Sequence, residues 1–358
     1  MTTADERFMR RALELAHRGS GWVAPNPKVG AVLARDGEII AEGWHAQFGH
    51  EHAEAMALRL AGHAARGSTM YVTLEPCDHQ GKTPPCSVAL IEAGVARVVY
   101  ASDDPNPVAR GGAARLRAAG VSVSAGMLRE SANEANAPFL FAAHGASRPF
   151  VTLKLAVSID GAIVDATRQR SWLTGSEARA AVHALRADAD AVAVGIDTVI
   201  ADDAELTVRD ARAPRVAPVR VVFDRRARLP LSSALVKTAT APPVVVLTDG
   251  SNPEREGALE ATGVVVLRAD GFDRALAALH TRGIRHLLVE GGAGIASALV
   301  AKGLVDRLIT FQAPVILGQG ALAAFAFLPP APGGPRRMHV VTRRELGHDL
   351  MTVYGFES

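Results

Sequence analysis

The chain has 358 residues, 48% of them apolar and 21% charged, and a formal net charge of +2, so it can bury more than one core. A charge that small argues against nucleic acid as a partner, and no apolar run reaches membrane-spanning length. Two cysteines exclude a disulfide framework, and Asp5-Glu6 stands where a signal peptide would be basic, so a cytoplasmic protein is expected.

In chain order, Met9 to His17 has the spacing of an amphipathic helix, with Met9, Ala12, Leu13 and Ala16 on its apolar face. Val29 to Ala34 reads as a strand, and Arg35-Asp36-Gly37 as a hairpin turn into Ile39-Ile40-Ala41. A helix is predicted over His52 to Arg66, a buried strand over Thr69 to Leu74, a helix over Ser87 to Gly94 and a strand over Ala96 to Ala101. This alternation implies a sheet covered by helices on both sides. A small, polar stretch from Ala143 to Pro149 then divides the chain into domains 1–146 and 147–358. In the second, strands are predicted at Phe150 to Leu155, Ala191 to Val194, Val219 to Phe223, Val244 to Leu247, Val264 to Leu267 and His286 to Val289. Oligomeric state is left open, with Leu304 to Phe311 as a candidate interface strand.

Both cysteines fall in one stretch, Leu74-Glu75-Pro76-Cys77-Asp78-His79-Gln80-Gly81-Lys82-Thr83-Pro84-Pro85-Cys86, downstream of His52-Ala53-Glu54. His-x-Glu followed by Pro-Cys and a second Cys is the ligand pattern of a zinc deaminase. His52, Cys77 and Cys86 would bind the metal and leave one position for water, while Glu54 moves protons. Cys86 is expected to open a helix, where the dipole favours a thiolate. Two buried thiols, or a structural zinc site closed by His79, remain open on the residues alone. Eight residues separate the thiols where Cys-x-x-Cys is usual. That polar loop carries His79 and Lys82, which suit a phosphate or sugar beside the metal, a solvated loop being the alternative.

In the second domain, Val289-Glu290-Gly291-Gly292-Ala293-Gly294-Ile295-Ala296 reads as a strand, a glycine turn and a helix whose first N–H groups can hold phosphate. It is not the Gly-x-Gly-x-x-Gly fingerprint, and a tight packing turn is the alternative.

Pro25-Asn26-Pro27-Lys28-Val29-Gly30, His45, Gly49 to Glu54, the Leu74 to Cys86 stretch and Asp104-Pro105-Asn106-Pro107 resemble the deaminase half of the bifunctional riboflavin-biosynthesis deaminase/reductases. Arg148 to Lys154, Ser158-Ile159-Asp160-Gly161, Trp172 to Gly175, His183 to Arg186, Val194 to Val199, Leu206 to Arg209 and Val289 to Gly292 are similar to the reductase half. The resemblance implies a cytidine-deaminase-like three-layer α/β/α domain and a dihydrofolate-reductase-like α/β domain, with Zn2+ and NADPH as cofactors. It implies zinc-hydroxide deamination of 2,5-diamino-6-(5-phosphoribosylamino)pyrimidin-4(3H)-one. NADPH reduction to 5-amino-6-(5-phosphoribitylamino)uracil would follow.

Carried over, Asn26, His45, His79 and Lys82 would line the first substrate pocket. Ala156, Trp172, Thr198, Asp202 and the turn Gly292, Ala293, Gly294, Ile295, Ala296, Ser297, Ala298 would contact NADPH. Lys154, Arg186, Leu206, Arg209 and Glu290 would hold the second substrate, the arginines by its phosphate, and Asp202 would sit beside the carbon being reduced. Departures are Arg170 two residues before Trp172, where relatives commonly carry Ser, and Ala204 after Asp202-Asp203, where they often carry Pro. Alternative readings are a deaminase of another nucleotide or a tRNA base with a non-catalytic second domain, or a structural zinc module.

Overall fold

The computed structural model describes residues 3–80, 84–168, 172–330 and 334–356. The chain divides into two compact units, Met1–Ala146 and Ser147–Ser358. No helix among the described residues is long and apolar enough to cross a membrane.

The first unit runs α1 (Ala4–Ala16), β1 (Gly30–Arg35), β2 (Glu38–Trp44), α2 (Ala53–Ala61), β3 (Thr69–Leu74), α3 (Cys86–Glu92), β4 (Arg97–Ser102), α4 (Gly112–Ala118), β5 (Ser122–Ala125), α5 (Arg129–Ala135) and α6 (Ala137–Ala143). Its sheet has the order β2-β1-β3-β4-β5; β1 is antiparallel to both neighbours and β3, β4 and β5 are parallel. Side chains alternate along each strand, so the sheet has two buried faces. Leu33, Met70, Val72 and Val98 pack with Ala53 and Ala57 of α2, Leu90 of α3 and Leu116 of α4. Val32, Tyr71 and Val99 pack with Phe8, Met9, Ala12 and Leu15 of α1 and Ala132 of α5. The result is the expected three-layer arrangement.

Local differences from expectation have local causes. α1 begins at Ala4 because Thr3 caps it, its hydroxyl accepting from the Glu6 N–H at 3.2 Å. That extra turn brings Phe8 into the core, and Leu15 is buried there while Leu13 packs only partly. α2 gives way at Gly62 to a short 3-10 turn, so the predicted helix to Arg66 is cut short.

The second unit comprises β6 (Phe150–Val157), β7 (Ala162–Val164), α7 (Ser176–Asp188), β8 (Ala191–Gly195), α8 (Ile196–Asp202), β9 (Val219–Phe223), α9 (Ala234–Lys237), β10 (Val244–Thr248), α10 (Pro253–Glu260), β11 (Val265–Arg268), α11 (Phe272–Thr281), β12 (His286–Glu290), α12 (Ala293–Ala301), β13 (Arg307–Gln312), β14 (Leu322–Ala323), β15 (Met338–Leu346) and β16 (Asp349–Phe356). Nine strands form one sheet in the order β11-β10-β9-β8-β12-β6-β13-β16-β15, parallel as far as β13 and antiparallel beyond it. Its parallel strands read as continuous apolar runs because both faces are covered. Leu153, Leu155, Leu287 and Val289 face Leu276 and Leu299, while Val192, Val222, Val246 and Leu288 face Val199, Leu235 and Leu259.

One expectation is corrected. Within the segment from Leu304 to Phe311, residues from Arg307 on belong to β13, which lies between β6 and β16 with both edges paired. Leu308, Ile309 and Phe311 are buried inside the unit, so this strand has no edge to offer another chain.

Candidate active sites

In the first unit a cavity of about 300 Å³ is lined by Asn26, His45, His50, His52, Glu54, Glu75, Cys77, His79, Asp104, Asn106 and Phe139, among others. His52 stands at the N-cap of α2 in an extended conformation, Cys77 lies just beyond β3, and Cys86 opens α3. Their ligand atoms all lie within 4.8 Å of one another. His52 Nδ1 is 3.5 Å from Cys77 Sγ and 3.4 Å from Cys86 Sγ. A tetrahedral ion with Zn–S about 2.3 Å and Zn–N about 2.0–2.1 Å requires N···S edges of about 3.5 Å. The donor set therefore fits Zn2+.

The electrostatics agree with a cation site. The Cys86 thiol and His52 hold Cys77 well below the usual thiol range, while Cys77 and burial push Cys86 well above it. Only a shared cation would let both sulfurs be thiolates at this separation. His79 is not among the clustered donors; it lines the cavity with its Nδ1 buried and without a hydrogen-bond partner. A metal site closed by His79 is thus not what the described residues form.

Glu54 is 4% exposed, and burial pushes its carboxyl up to about 7. The wall facing it is held by an ordered pair. His45 Nδ1 bonds the Glu51 carbonyl at 3.0 Å and therefore carries the proton, leaving Nε2 to accept from Asn26 Nδ2 at 3.2 Å. Burial keeps His45 neutral by lowering its pKa. Asn26 is left with its Oδ1 as an acceptor for a ligand. Lys82 lies outside the described residues.

The turn carrying Cys77 is fixed from several sides. Glu75 Oε1 accepts from the N–H groups of Gly111 and Ala113, and Asp78 accepts from the Ser87 hydroxyl at 2.6 Å and from Arg115. A Cβ on Gly112 would sit 1.8 Å from the Pro76 carbonyl oxygen, so only glycine lets α4 approach this turn. Glu75 and Asp78 belong to the quoted motif, but their bracing role is a tertiary fact that the sequence did not disclose.

In the second unit the expected residues gather at the C-terminal ends of β6, β8 and β12. Glu290 ends β12 directly across from Lys154 of β6, and Ala156 lies on the same face two residues on. Burial and the nearby Arg186 hold Lys154 below the usual ammonium range, although Glu290 pulls the other way. Thr198 and Asp202 stand four apart on α8, hence on one face. A Cβ on Gly292 would come 3.1 Å from Thr198 Oγ1, so the glycine keeps a narrow opening between α8 and the start of α12. The first-turn N–H groups of α12 have no acceptor within the helix and lie beside this opening, which fits a dinucleotide diphosphate.

Three expectations change here. The side chains of Ala293, Ile295, Ala296 and Ser297 are buried in the core, and the Ser297 hydroxyl accepts from the Phe327 N–H, so within 292–298 only Gly294 is exposed and Gly292 and Ala298 half-buried, and Ala293 and Ile295 can offer a ligand only their main-chain N–H groups. Leu206 is 2% exposed with φ of 56°, so its side chain belongs to the core and only its main chain can face a ligand. Arg186 does not present a free fork. Its Nε and Nη2 bind the two Glu290 oxygens at 2.5 and 3.0 Å, and Nη1 binds the Thr207 carbonyl at 2.7 Å. Arg209 is exposed and pairs with Glu205. His183 Nδ1 accepts from the Arg209 N–H at 3.2 Å and braces this loop, a contact the sequence did not reveal. Trp172 is exposed, with the Arg179 guanidinium over its ring; Arg170 lies outside the described residues.

Comparison with known proteins places these sites in context. Residues 2–102 match the cytidine and deoxycytidylate deaminase zinc-binding region, and residues 149–329 match the RibD C-terminal domain. The riboflavin biosynthesis protein RibD of Aquifex aeolicus is 43% identical over 319 residues, 88% of each chain. That of Escherichia coli is 40% identical over 340 residues, covering 88% of this chain and 89% of that one. Among solved structures, Acinetobacter baumannii RibD superposes with a TM-score of 0.80 at 39% identity over 99% of both chains. The Thermotoga maritima diaminohydroxyphosphoribosylaminopyrimidine deaminase/5-amino-6-(5-phosphoribosylamino)uracil reductase gives 0.82 at 36% identity over the same share.

Proposed function

The chain belongs to the RibD family of bifunctional riboflavin-biosynthesis deaminase/reductases, and on that premise we propose that residues 1–146 carry the deaminase and residues 147–358 the reductase. It is an enzyme of two activities: hydrolytic deamination of the diamino-pyrimidinone ribosylamine phosphate, then reduction of the ribosyl group to ribityl. Its cofactors are Zn2+ and NADPH.

The observation that carries the first half is the His52, Cys77 and Cys86 cluster beside buried Glu54 in one cavity. These three residues would hold Zn2+, which supplies Lewis-acid charge that makes water a nucleophile at neutral pH. Glu54, raised to about 7, accepts a proton from the attacking water and delivers it to the departing ammonia. Asn26 and His45 orient the pyrimidine, and His79 and Lys82 take the ribose phosphate. Free thiol ligands suit a cytoplasmic enzyme, where they stay reduced.

In the second half, Thr198, Ala156, Trp172 and the first turn of α12 hold NADPH, which supplies the reducing equivalent. Lys154 and Glu290 reach the ribosyl group, Arg186 keeps Glu290 ionised and aimed, Arg209 and the Leu206 main chain face the phosphate, and Asp202 lies beside the reacting carbon. Glu54→Gln should abolish ammonia release with zinc content unchanged, and Asp202→Asn should slow product-dependent NADPH oxidation while sparing ammonia release. Survival of ammonia release in the first variant, or loss of it in the second, would contradict these assignments.

A further inference from the structure

Pro25 and Pro27 flank Asn26, and neither has an N–H, so the segment 25–28 owns two main-chain donors. The Asn26 N–H bonds the Val23 carbonyl at 2.9 Å, and the Lys28 N–H bonds Asn136 Oδ1 at 2.8 Å. Asn136 Nδ2 returns to the Lys28 carbonyl at 2.9 Å, so one side-chain amide grips one residue's main chain at both of its polar groups. Asn136 is 4% exposed and stands at the joint between α5 and α6.

The position makes this grip informative. An asparagine at a helix N-cap ordinarily turns its side chain onto its own helix. Asn136 makes no such cap bond and commits both ends of its amide to a segment distant in sequence. Three residues on, Phe139 of α6 lines the same cavity as Asn26. The amide thus ties together two walls of the deamination site, and Asn26 in turn bonds His45.

We propose that Asn136 is a positioning residue for deamination, setting the angle of Asn26 against the substrate through the main chain of Lys28. This rests on Asn26 as a substrate contact. With the clamp gone, the proline-flanked segment loses both of the bonds that Asn136 makes to the Lys28 main chain, and Asn26 shifts against the substrate. A misplacement of about 1 Å in a substrate-orienting group costs on the order of a hundredfold in rate.

The test is a double-mutant cycle on the full-length zinc-loaded enzyme, read by ammonia release from the pyrimidine ribosylamine phosphate, by zinc content and by NADPH oxidation with the deaminated product supplied. Asn136→Ala should lower kcat/KM for ammonia release by about 10- to 100-fold, leaving zinc content and NADPH oxidation unchanged. Combined with Asn26→Ala, it should add less than about twofold to the loss from Asn26→Ala alone. Losses that multiply overturn the proposal, because Asn136 would then act independently of Asn26. An Asn26→Ala enzyme with full activity overturns the substrate role of Asn26 and the proposal with it. If Asn136→Ala does not fold, Asn136→Asp decides. Its ionised carboxylate keeps the bond to the Lys28 N–H but faces the Lys28 carbonyl with a second acceptor, whereas the protonated acid restores the donor. Its activity relative to the unmodified enzyme should rise as pH falls, and a flat ratio overturns the proposal.

Discussion

Replacing Arg186 with Met removes a group that contacts both Glu290 and the Thr207 carbonyl while nearly conserving side-chain volume. Both partners of the ion pair are 13% exposed, so water screens it weakly. Taking one partner from a buried pair costs about 3–5 kcal/mol, chiefly because the other charge stays buried. Lys154 remains near Glu290 and offsets part of this, which puts the expected loss near about 3 kcal/mol. Native-state hydrogen exchange should show it as a lower opening energy for β6 and β12, with segments of the first unit unaffected. A pH series sharpens the result. Burial alone would raise Glu290, but Arg186 and Lys154 outweigh it and hold the carboxyl below its usual range. Its contribution is therefore complete above the unfolded value of about 4.3 and is lost as pH falls through the lower folded value. In Arg186→Met the loss should begin at higher pH. Opening energies within about 0.5 kcal/mol of the unmodified chain, or strict additivity with Glu290→Gln, would refute the reasoning.

Gly112→Ala should cost the first unit about 1–3 kcal/mol and reduce zinc content, because the added Cβ displaces Pro76 and with it Cys77; unchanged metal content and melting temperature would contradict this. Chelation of zinc should abolish ammonia release and leave NADPH oxidation with the deaminated product intact. Loss of both activities together would show that the metal supports more than the first unit.

Strands buried on both faces were the easiest elements to read. Thr69 to Leu74 and Val219 to Phe223 have the predicted bounds, because apolar and β-branched runs ending in turns have few other ways to bury themselves. The cluster of His52, Cys77 and Cys86 was legible for a related reason: metal chemistry restricts residue type and spacing. Tertiary pairing was not legible. Arg186 looked like a phosphate-binding arginine, and nothing near it in sequence announces Glu290 or Thr207. Asn136 escaped notice because its partner lies at the opposite end of the first unit's sequence. The Leu304 to Phe311 segment failed differently, since alternation along a strand does not tell a central position from an edge.

The place of β12 has a further consequence. It sits between β8 and β6, with Phe150 pairing to His286 and Ala191 to Leu287, so the first strand of the second unit waits for one made much later. In the first unit β1 pairs with β2 and β3, and β4 with β3 and β5, all from nearby sequence. Closing long loops before any contact rewards them slows folding. On the ribosome, residues 1–146 can therefore complete their sheet while the rest is still being synthesised. The second sheet keeps facing, unsatisfied strand edges on β6 and β8 until residue 290 has emerged, and that interval is when the nascent chain is most exposed to aggregation.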